Sequence, residues 1–300
     1  MSESTRTPHL PYGVLPPAFR LPEAAHPGTV HLQVSDLQRS LAYYEQVLGL
    51  SVRNVADPSA VLSADGDEHP LLTLHTRAGV TPARRGALVS ITLQSCYRTV
   101  APGAAFAAHL GALDVRVAMA DHLVSEALYL WDPVGLGIEV YADRPRDTWQ
   151  HRDRELAMTT DPLDIQSVIA AGRGEAWTGR PSRHVDGAHP SARWKPVGEA
   201  EAFYHRALGF DKTVWSCPGA LFVSAGGYHH HLATNVWSSG PSAATHEARL
   251  IEWELMVPTD ADVDGAAQNL REVGYRIGKT GDGISAKDAW GTRVRVRTKH

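Results

Sequence analysis

The stretch TVHLQVSDLQRSLAYYEQVLGLSV, residues 29–52, carries two hydrophobic periods in succession. Val30, Leu32 and Val34 alternate with His31 and Gln33, the period of a half-buried strand, and this places His31 on the face opposite Val30. Ser35 or Asp36 then suits a helix N-cap. Leu37, Leu41, Tyr44 and Leu48 recur on one helical face, and Gly49 stands where a C-cap belongs. Three short β-like runs follow, LSVRNV, AVLSAD and PLLTLHT, separated by Asp, Pro and Gly. The unit reads β-α-β-β-β.

The same order returns. ALVSITLQS reads as a strand, a helix falls within 99–111, and DVRVAMA, EALYLWD and GIEVYAD complete a second unit. Further on, VGEAEAFYHRALGFDKTVW echoes LQRSLAYYEQVLGLSVRNV, with the Tyr-x-x-x-Leu-Gly core of Tyr44 recurring at Tyr204, which marks an internal duplication. A fourth unit runs from LIEWELMVP through a helix in 261–273 to GYRIGKT, GISAKDA and RVRVRT. The expected fold is therefore α+β, with four βαβββ modules paired into two domains of curved, cup-like mixed sheet. The expected division is an irregular arm at 1–25, a first domain at 26–145 holding the candidate site, a linker with a helix at 146–180, and a degenerate second domain at 181–300.

Three hundred residues can bury two ordinary cores. With 43 % hydrophobic residues, 21 % charged residues and a net charge of −4, the chain has no footprint of a nucleic-acid or membrane-surface partner, which leaves small molecules. Cys96 and Cys217 are the two cysteines and form no CxxC pattern, so neither a disulfide framework nor a thiolate zinc site is indicated, and a cytoplasmic location is expected. The first 25 residues hold five prolines and no basic segment followed by an apolar run, unlike a signal peptide or an anchor.

The chemistry-bearing residues concentrate at the end of the second module. His122, Tyr129 and Glu139 surround an Asp132-Pro133-x-Gly135 turn. If paired modules wrap a shared cup, His31 on the first strand and Glu139 on the last can meet inside it. An imidazole and a carboxylate suit Fe(II), Mn(II) or Zn, and two His with one carboxylate leave positions open for substrate and oxygen. Taken singly, each has an ordinary alternative as a core or surface residue, and Tyr129 as a strand aromatic. The 16 histidines locate nothing by number alone.

Taken together, the run from His122 through Leu128-Tyr129 and Asp132-Pro133-x-Gly135 to Glu139 closely resembles the signature of extradiol ring-cleavage dioxygenases of the vicinal oxygen chelate superfamily. HLQVSDLQRSLAYYEQVLGL, DHLVSEALYL, YADRPRDTW, MTTDPLDI and ALFVSAGGYHHH resemble the bacterial two-domain catechol 2,3-dioxygenases, so the resemblance spans nearly the whole chain. It implies Fe(II) as cofactor, a small aromatic substrate and O2 as partners, and a homo-oligomer as a common state. It implies His31 and Glu139 as metal ligands, His122 as acid/base on the substrate hydroxyl, and Tyr129 as a hydrogen-bond donor to substrate or oxygen adduct.

The chain departs from that pattern at one ligand. Val89 stands where the second iron-binding His belongs; His75 reads as an exposed strand-end histidine, with a role as stand-in ligand as the alternative. In the second half Pro190 and Pro196 interrupt the strand that would carry His189, and Arg295 matches Glu139, so no triad forms there. His229, His230 and His231 are expected to pack between the halves, with 229 and 231 on one face. The expected function is an extradiol dioxygenase with an altered metal site. The alternatives are a non-oxidative isomerase, lyase or hydrolase with His122 as base, or a metal-free aromatic-binding resistance protein in which Trp131 and Trp149 offer stacking surfaces.

Overall fold

The computed structural model describes residues 12–64, 68–84, 89–94, 101–171, 177, 188–190, 197–236 and 243–298. Module one comprises β1 (His26–Gln33), α1 (Leu37–Gln46), β2 (Ser51–Ala56), β3 (Ser59–Ser63) and β4 (Leu72–His75). Module two comprises β5 (Val89–Gln94), α2 (Ala101–Ala112), β6 (Ala118–Asp121), β7 (Ser125–Trp131) and β8 (Gly137–Asp143). A two-stranded ribbon, β9 (His151–Arg152) and β10 (Glu155–Leu156), and α3 (Ile165–Ala171) lead into the second half. Module three is β11 (Ala188–Pro190), α4 (Val197–Ala200) running into a π-helical segment at Glu201–Ala207, β12 (Asp211–Val214), β13 (Ala220–Ser224) and β14 (Leu232–Asn235). Module four is β15 (Arg249–Val257), α5 (Asp260–Glu272), β16 (Ile277–Thr280), β17 (Gly283–Lys287) and β18 (Arg293–Thr298).

Local chemistry explains the helix boundaries. Asp36 caps α1 by accepting from Arg39 N at 3.0 Å, and Leu37, Leu41 and Tyr44 bury one face. Gly49 takes φ 67°, the left-handed conformation of a helix end. Thr259 and Asp262 form a reciprocal capping box at the start of α5.

The modules pair across the two halves of the chain. One sheet has the order β16-β17-β18-β15-β1-β4-β3-β2, joining module one to module four through antiparallel β1 and β15. Another has the order β11-β5-β8-β7-β6, joining module two to the first strand of module three, and β12-β13-β14 forms a third sheet. The expectation that modules one and two share a cup is thereby corrected. Each module offers its first strand as an edge, and either pairing satisfies that edge. Here the edge of β1 is covered by β15, where Val30 and Leu32 align with Trp253 and Leu250, all buried.

The halves are tied internally by a motif that occurs twice. Tyr44 on α1 donates to Oδ2 of Asp132 at 3.3 Å, and Oδ1 of Asp132 accepts from Val134 N and Leu136 N at 3.0 and 2.7 Å. Tyr204 donates to Oδ2 of Asp288 at 2.7 Å, and Oδ1 of Asp288 accepts from Trp290 N and Thr292 N at 2.9 and 2.8 Å. The duplicated tyrosine of the sequence thus clamps the β-turn of the following module in each half. The large sheet turns Val30, Leu32, Leu74, Trp253, Leu255 and Val296 into the core. Alternation leaves His31, Glu252, Arg295 and their neighbours on its other face.

Candidate active site

β7 and β8 are antiparallel with Tyr129 opposite Glu139, so both side chains project from one face of the five-stranded sheet. His122 sits in the tight turn between β6 and β7, closed by His122 N to Ser125 O at 2.9 Å. Leu123 takes φ 66° there. Asp121 holds the turn by accepting from Leu123 N at 2.8 Å. Arg144 grips Asp121 with both guanidinium nitrogens at 2.8 and 2.6 Å and reaches Glu126 at 3.0 Å. The Arg144 fork holds the Asp121 carboxyl below its ordinary value. The linker closes over the turn: Asp121 and Asp161 exchange backbone hydrogen bonds at 2.8 and 2.9 Å.

Three of the four expected site residues form one hydrogen-bonded chain. Nδ1 of His122 lies 2.6 Å from the carbonyl oxygen of Thr159, and Nε2 lies 2.6 Å from the Tyr129 hydroxyl. Tyr129 donates to Oε1 of Glu139 at 2.8 Å. His122 and Glu139 are buried at 9 % and 7 % exposure, so their charges interact with little screening. Burial, and then the Glu139 carboxylate, push the Tyr129 hydroxyl upward, so it remains protonated.

A proton count follows from donors and acceptors. A carbonyl accepts only, so Nδ1 of His122 carries a hydrogen. The two contacts from Nε2 to Tyr129 to Glu139 then require two protons, of which Tyr129 supplies one. With the second proton, the chain is either imidazolium, phenol and carboxylate, or neutral imidazole, phenol and carboxylic acid. Without it, the Tyr129 proton serves one neighbour and the other contact lacks a hydrogen. The chain therefore has room for one added proton, held at Nε2 of His122 or at Glu139.

His31 is elsewhere. It lies opposite Glu252 in the large sheet, with Nδ1 3.1 Å from Nε2 of His75 and Nε2 3.9 Å from Oε1 of Glu252. His75 also meets Ser59 Oγ at 2.9 Å through Nδ1. Burial lowers the His31 pKa, Glu252 and Glu254 oppose that, and Arg295 reinforces it. The expectation that His31 and Glu139 grip one ion gains no support from the strand order, which puts β1 in the eight-stranded sheet and β8 in the five-stranded one. The His31 and His75 rings lie nearly parallel, with centroids 5.4 Å apart at an interplanar angle of 15°. Among the described residues no group of three His, Cys, Asp or Glu has the geometry to hold a metal. The side chain of Val89 lies outside the described residues, as does that of His189. Their backbones are placed in register, Val89 against Pro190 and Ser90 against His189, with Thr92 beside Glu139.

Sequence reading missed the Asp121–Arg144 clamp and the Thr159 carbonyl. The charge alternation of Asp121, Glu126 and Arg144 was a visible signal, whereas a backbone carbonyl from the linker leaves none. His229, His230 and His231 lie in the turn before β14, and His229 bonds Asp143 of module two at 2.8 Å, joining the halves.

The fold and site have counterparts among known proteins. Residues 26–140 match the Glyoxalase/Bleomycin resistance protein/Dioxygenase superfamily. A "Catechol-2,3-dioxygenase" of Bacillus subtilis (strain 168) is 37 % identical over 277 residues, covering 89 % of this chain and 94 % of that protein. In structure, a dioxygenase candidate from Bacillus subtilis subsp. subtilis str. 168 superposes with TM-score 0.61 at 13 % identity, covering 93 % of this chain and 86 % of the other. Glyoxalase I from Zea mays superposes with TM-score 0.51 at 14 % identity, covering 92 % of each chain. The chain belongs to the glyoxalase/bleomycin resistance protein/dioxygenase superfamily. Its sequence similarity to a dioxygenase of that superfamily extends over both halves.

Proposed function

We propose that this protein is an extradiol ring-cleaving dioxygenase acting on a catechol-type aromatic with Fe(II) and O2, and that the reaction takes place on the Glu139 face of the five-stranded sheet. The observation that carries this reading is the His122–Tyr129–Glu139 chain, a proton acceptor of unit capacity. Kinship with a catechol-2,3-dioxygenase over nearly the full length supports the substrate class.

The described side chains do not complete a ferrous site. Glu139 is a suitable hard, buried donor. His122, however, is engaged at both ring nitrogens, and His31 lies in the other sheet. The metal therefore rests on kinship, and the proton chemistry rests on residues of this chain. A hydroxyl of the aromatic transfers its proton to the His122 chain. Thr159 keeps the imidazole oriented, Tyr129 lets the proton reside at either end, and the burial of His122 and Glu139 keeps bulk water from competing.

The test is reconstitution of the full chain with Fe(II) under anaerobic conditions, metal analysis, then oxygen uptake with a panel of catechols. Near one iron per chain together with ring-cleavage absorbance is the expected result. No retained iron and no oxygen uptake would overturn it. In that case the non-oxidative reading takes its place. Loss of turnover in His122→Ala with ligand binding preserved would then identify an enzyme rather than a binding protein.

A further inference from the structure

On the face of the eight-stranded sheet that carries His31, the carboxylates of β15 meet arginines of β18. Glu252 accepts from Arg293 at 2.9 Å, and Glu254 accepts from Arg295 and Arg297 at 3.5 and 3.3 Å. Glu247, just before β15, accepts from Ala244 N at 2.7 Å and from Nε of Arg84. Two nearby arginines have no carboxylate partner among the described residues. Arg249 opens β15 directly across from Gln33 of β1, so its side chain leaves the sheet on the same face as Gln33 and His31. Arg77 follows β4 by two residues; its Nε donates to Oε1 of Gln33 at 3.2 Å, and its Nη2 donates to the carbonyl oxygen of Thr245.

Gln33 is the fixed point between them. Its Nε2 donates to the carbonyl oxygens of Thr245 and Glu247 at 2.8 and 2.7 Å, which leaves Oε1 to Arg77 and ties the approach to β15 onto β1. Arg77 is exposed, so the pair opens to solvent, whereas Arg249 is half-buried and its buried Nε has no hydrogen-bond partner. Burial and then the Arg77 charge both lower the Arg249 pKa, and no carboxylate among the described residues opposes them. A guanidinium stays protonated even so. The fold therefore holds two like charges together and leaves a desolvated donor without an acceptor, and both conditions are unfavourable. An anion spanning the two forks relieves both. The planar forks match the two oxygens of a carboxylate. The backbone groups placed beside them are the carbonyls of Thr245 and Glu247, not the amides of a helix N-terminus that cradle a phosphate.

We propose that Arg77 and Arg249 form a binding site for the carboxylate of a small organic acid on the polar face of the eight-stranded sheet. The site stands apart from the His122–Tyr129–Glu139 chain, which lies on the five-stranded sheet, and does not depend on the dioxygenase reading. Arg249 supplies a guanidinium fork that the described residues leave unused, Arg77 adds its remaining donors from the solvent side, and Gln33 holds Arg77 in place. In this role Gln33 is a positioning residue.

The probe is benzoate, titrated into the full chain at constant ionic strength with chloride as the balancing anion. Labelling with 15N-arginine follows the Nε–H resonances, assigned with Arg77→Gln and Arg249→Gln. Saturable shifts of both resonances at one benzoate per chain are expected, with affinity at least about tenfold lower in either variant, the loss of one charge-assisted contact. An unshifted Arg249 resonance, or unchanged affinity in Arg249→Gln, overturns the site. Inorganic phosphate is titrated in parallel, and tighter binding of phosphate than of benzoate at these residues overturns the assignment to a carboxylate. Urea unfolding gives a readout that a purely structural arginine would move in the opposite direction. Without benzoate, Arg249→Gln should raise the unfolding midpoint, because it removes the like-charge contact; benzoate should raise the midpoint of the wild-type protein and leave that of the variant where it is. A lower midpoint in Arg249→Gln without benzoate would make Arg249 a structural anchor and overturn the proposal.

Discussion

Tyr129 is the residue through which His122 and Glu139 communicate, since its hydroxyl contacts both at 2.6 and 2.8 Å. Tyr129→Phe keeps the ring and breaks the proton path. Turnover of a catechol is expected to fall by about 10²-fold, the low end for a lost acid/base function, with circular dichroism unchanged, as steady-state oxygen uptake would show. Asp132 makes a separate prediction. Burial holds its carboxyl up at about 6, above the ordinary 3.8. The folded protein therefore keeps a proton that the unfolded chain releases near pH 4. The stabilisation from this group is complete below that pH and is lost as pH rises through 6, a decline of about 3 kcal/mol at roughly 1.4 kcal/mol per unit. Urea unfolding across pH 4 to 7 should show that decline in the wild-type protein and a flatter profile in Asp132→Asn. The identities of His122, Tyr129 and Glu139 were legible because the motif is contiguous and the strand period puts Tyr129 and Glu139 on one face. The partner of His31 was not legible, because it depends on which of two distant strands covers an edge.

At the scale of elements, capping residues and glycines carry the constraints. Thr259→Ala removes half of the capping box of α5 and should cost about 1 kcal/mol in urea unfolding. Gly226 takes φ 60° in the turn that delivers Tyr228 and His229, and a Cβ there would collide with the carbonyl oxygen of Glu23. Gly226→Ala should therefore destabilise the protein by about 1–3 kcal/mol and perturb the imidazole resonances of His229. Helix positions were readable from the sequence: the expected helices in 99–111 and 261–273 are Ala101–Ala112 and Asp260–Glu272. The start of module three was less so. Pro190 closes a strand of three residues, and the helix that follows passes into a π-helical segment at Glu201–Ala207 that no simple 3.6-residue period announces.

At the scale of the whole molecule, the eight-stranded and the five-stranded sheet each take strands from both halves of the chain. β1 is covered by β15 and β5 by β11, with antiparallel registers running between halves. A fragment ending at residue 171 leaves both edges open. It is expected to aggregate when expressed alone and to recover helical and strand signal when co-expressed with residues 188–300. Independent folding of the first fragment would contradict the pairing. The four-module plan was visible in the repeated Tyr-x-x-x-Leu-Gly signature, but its closure was not, since duplicated modules present equivalent edges.

That closure also bears on descent. If a gene encoding two modules gave rise to this chain by tandem copying, its product can be built in the same way only as a symmetric dimer, each cup assembled from one module of either subunit. Joining the copies end to end removed the symmetry. One cup could then drift while its twin stayed under selection, and the duplicated positions record that divergence: where one carries Glu139 beside Tyr129, the other carries Arg295 beside Ser285, locked to Glu254.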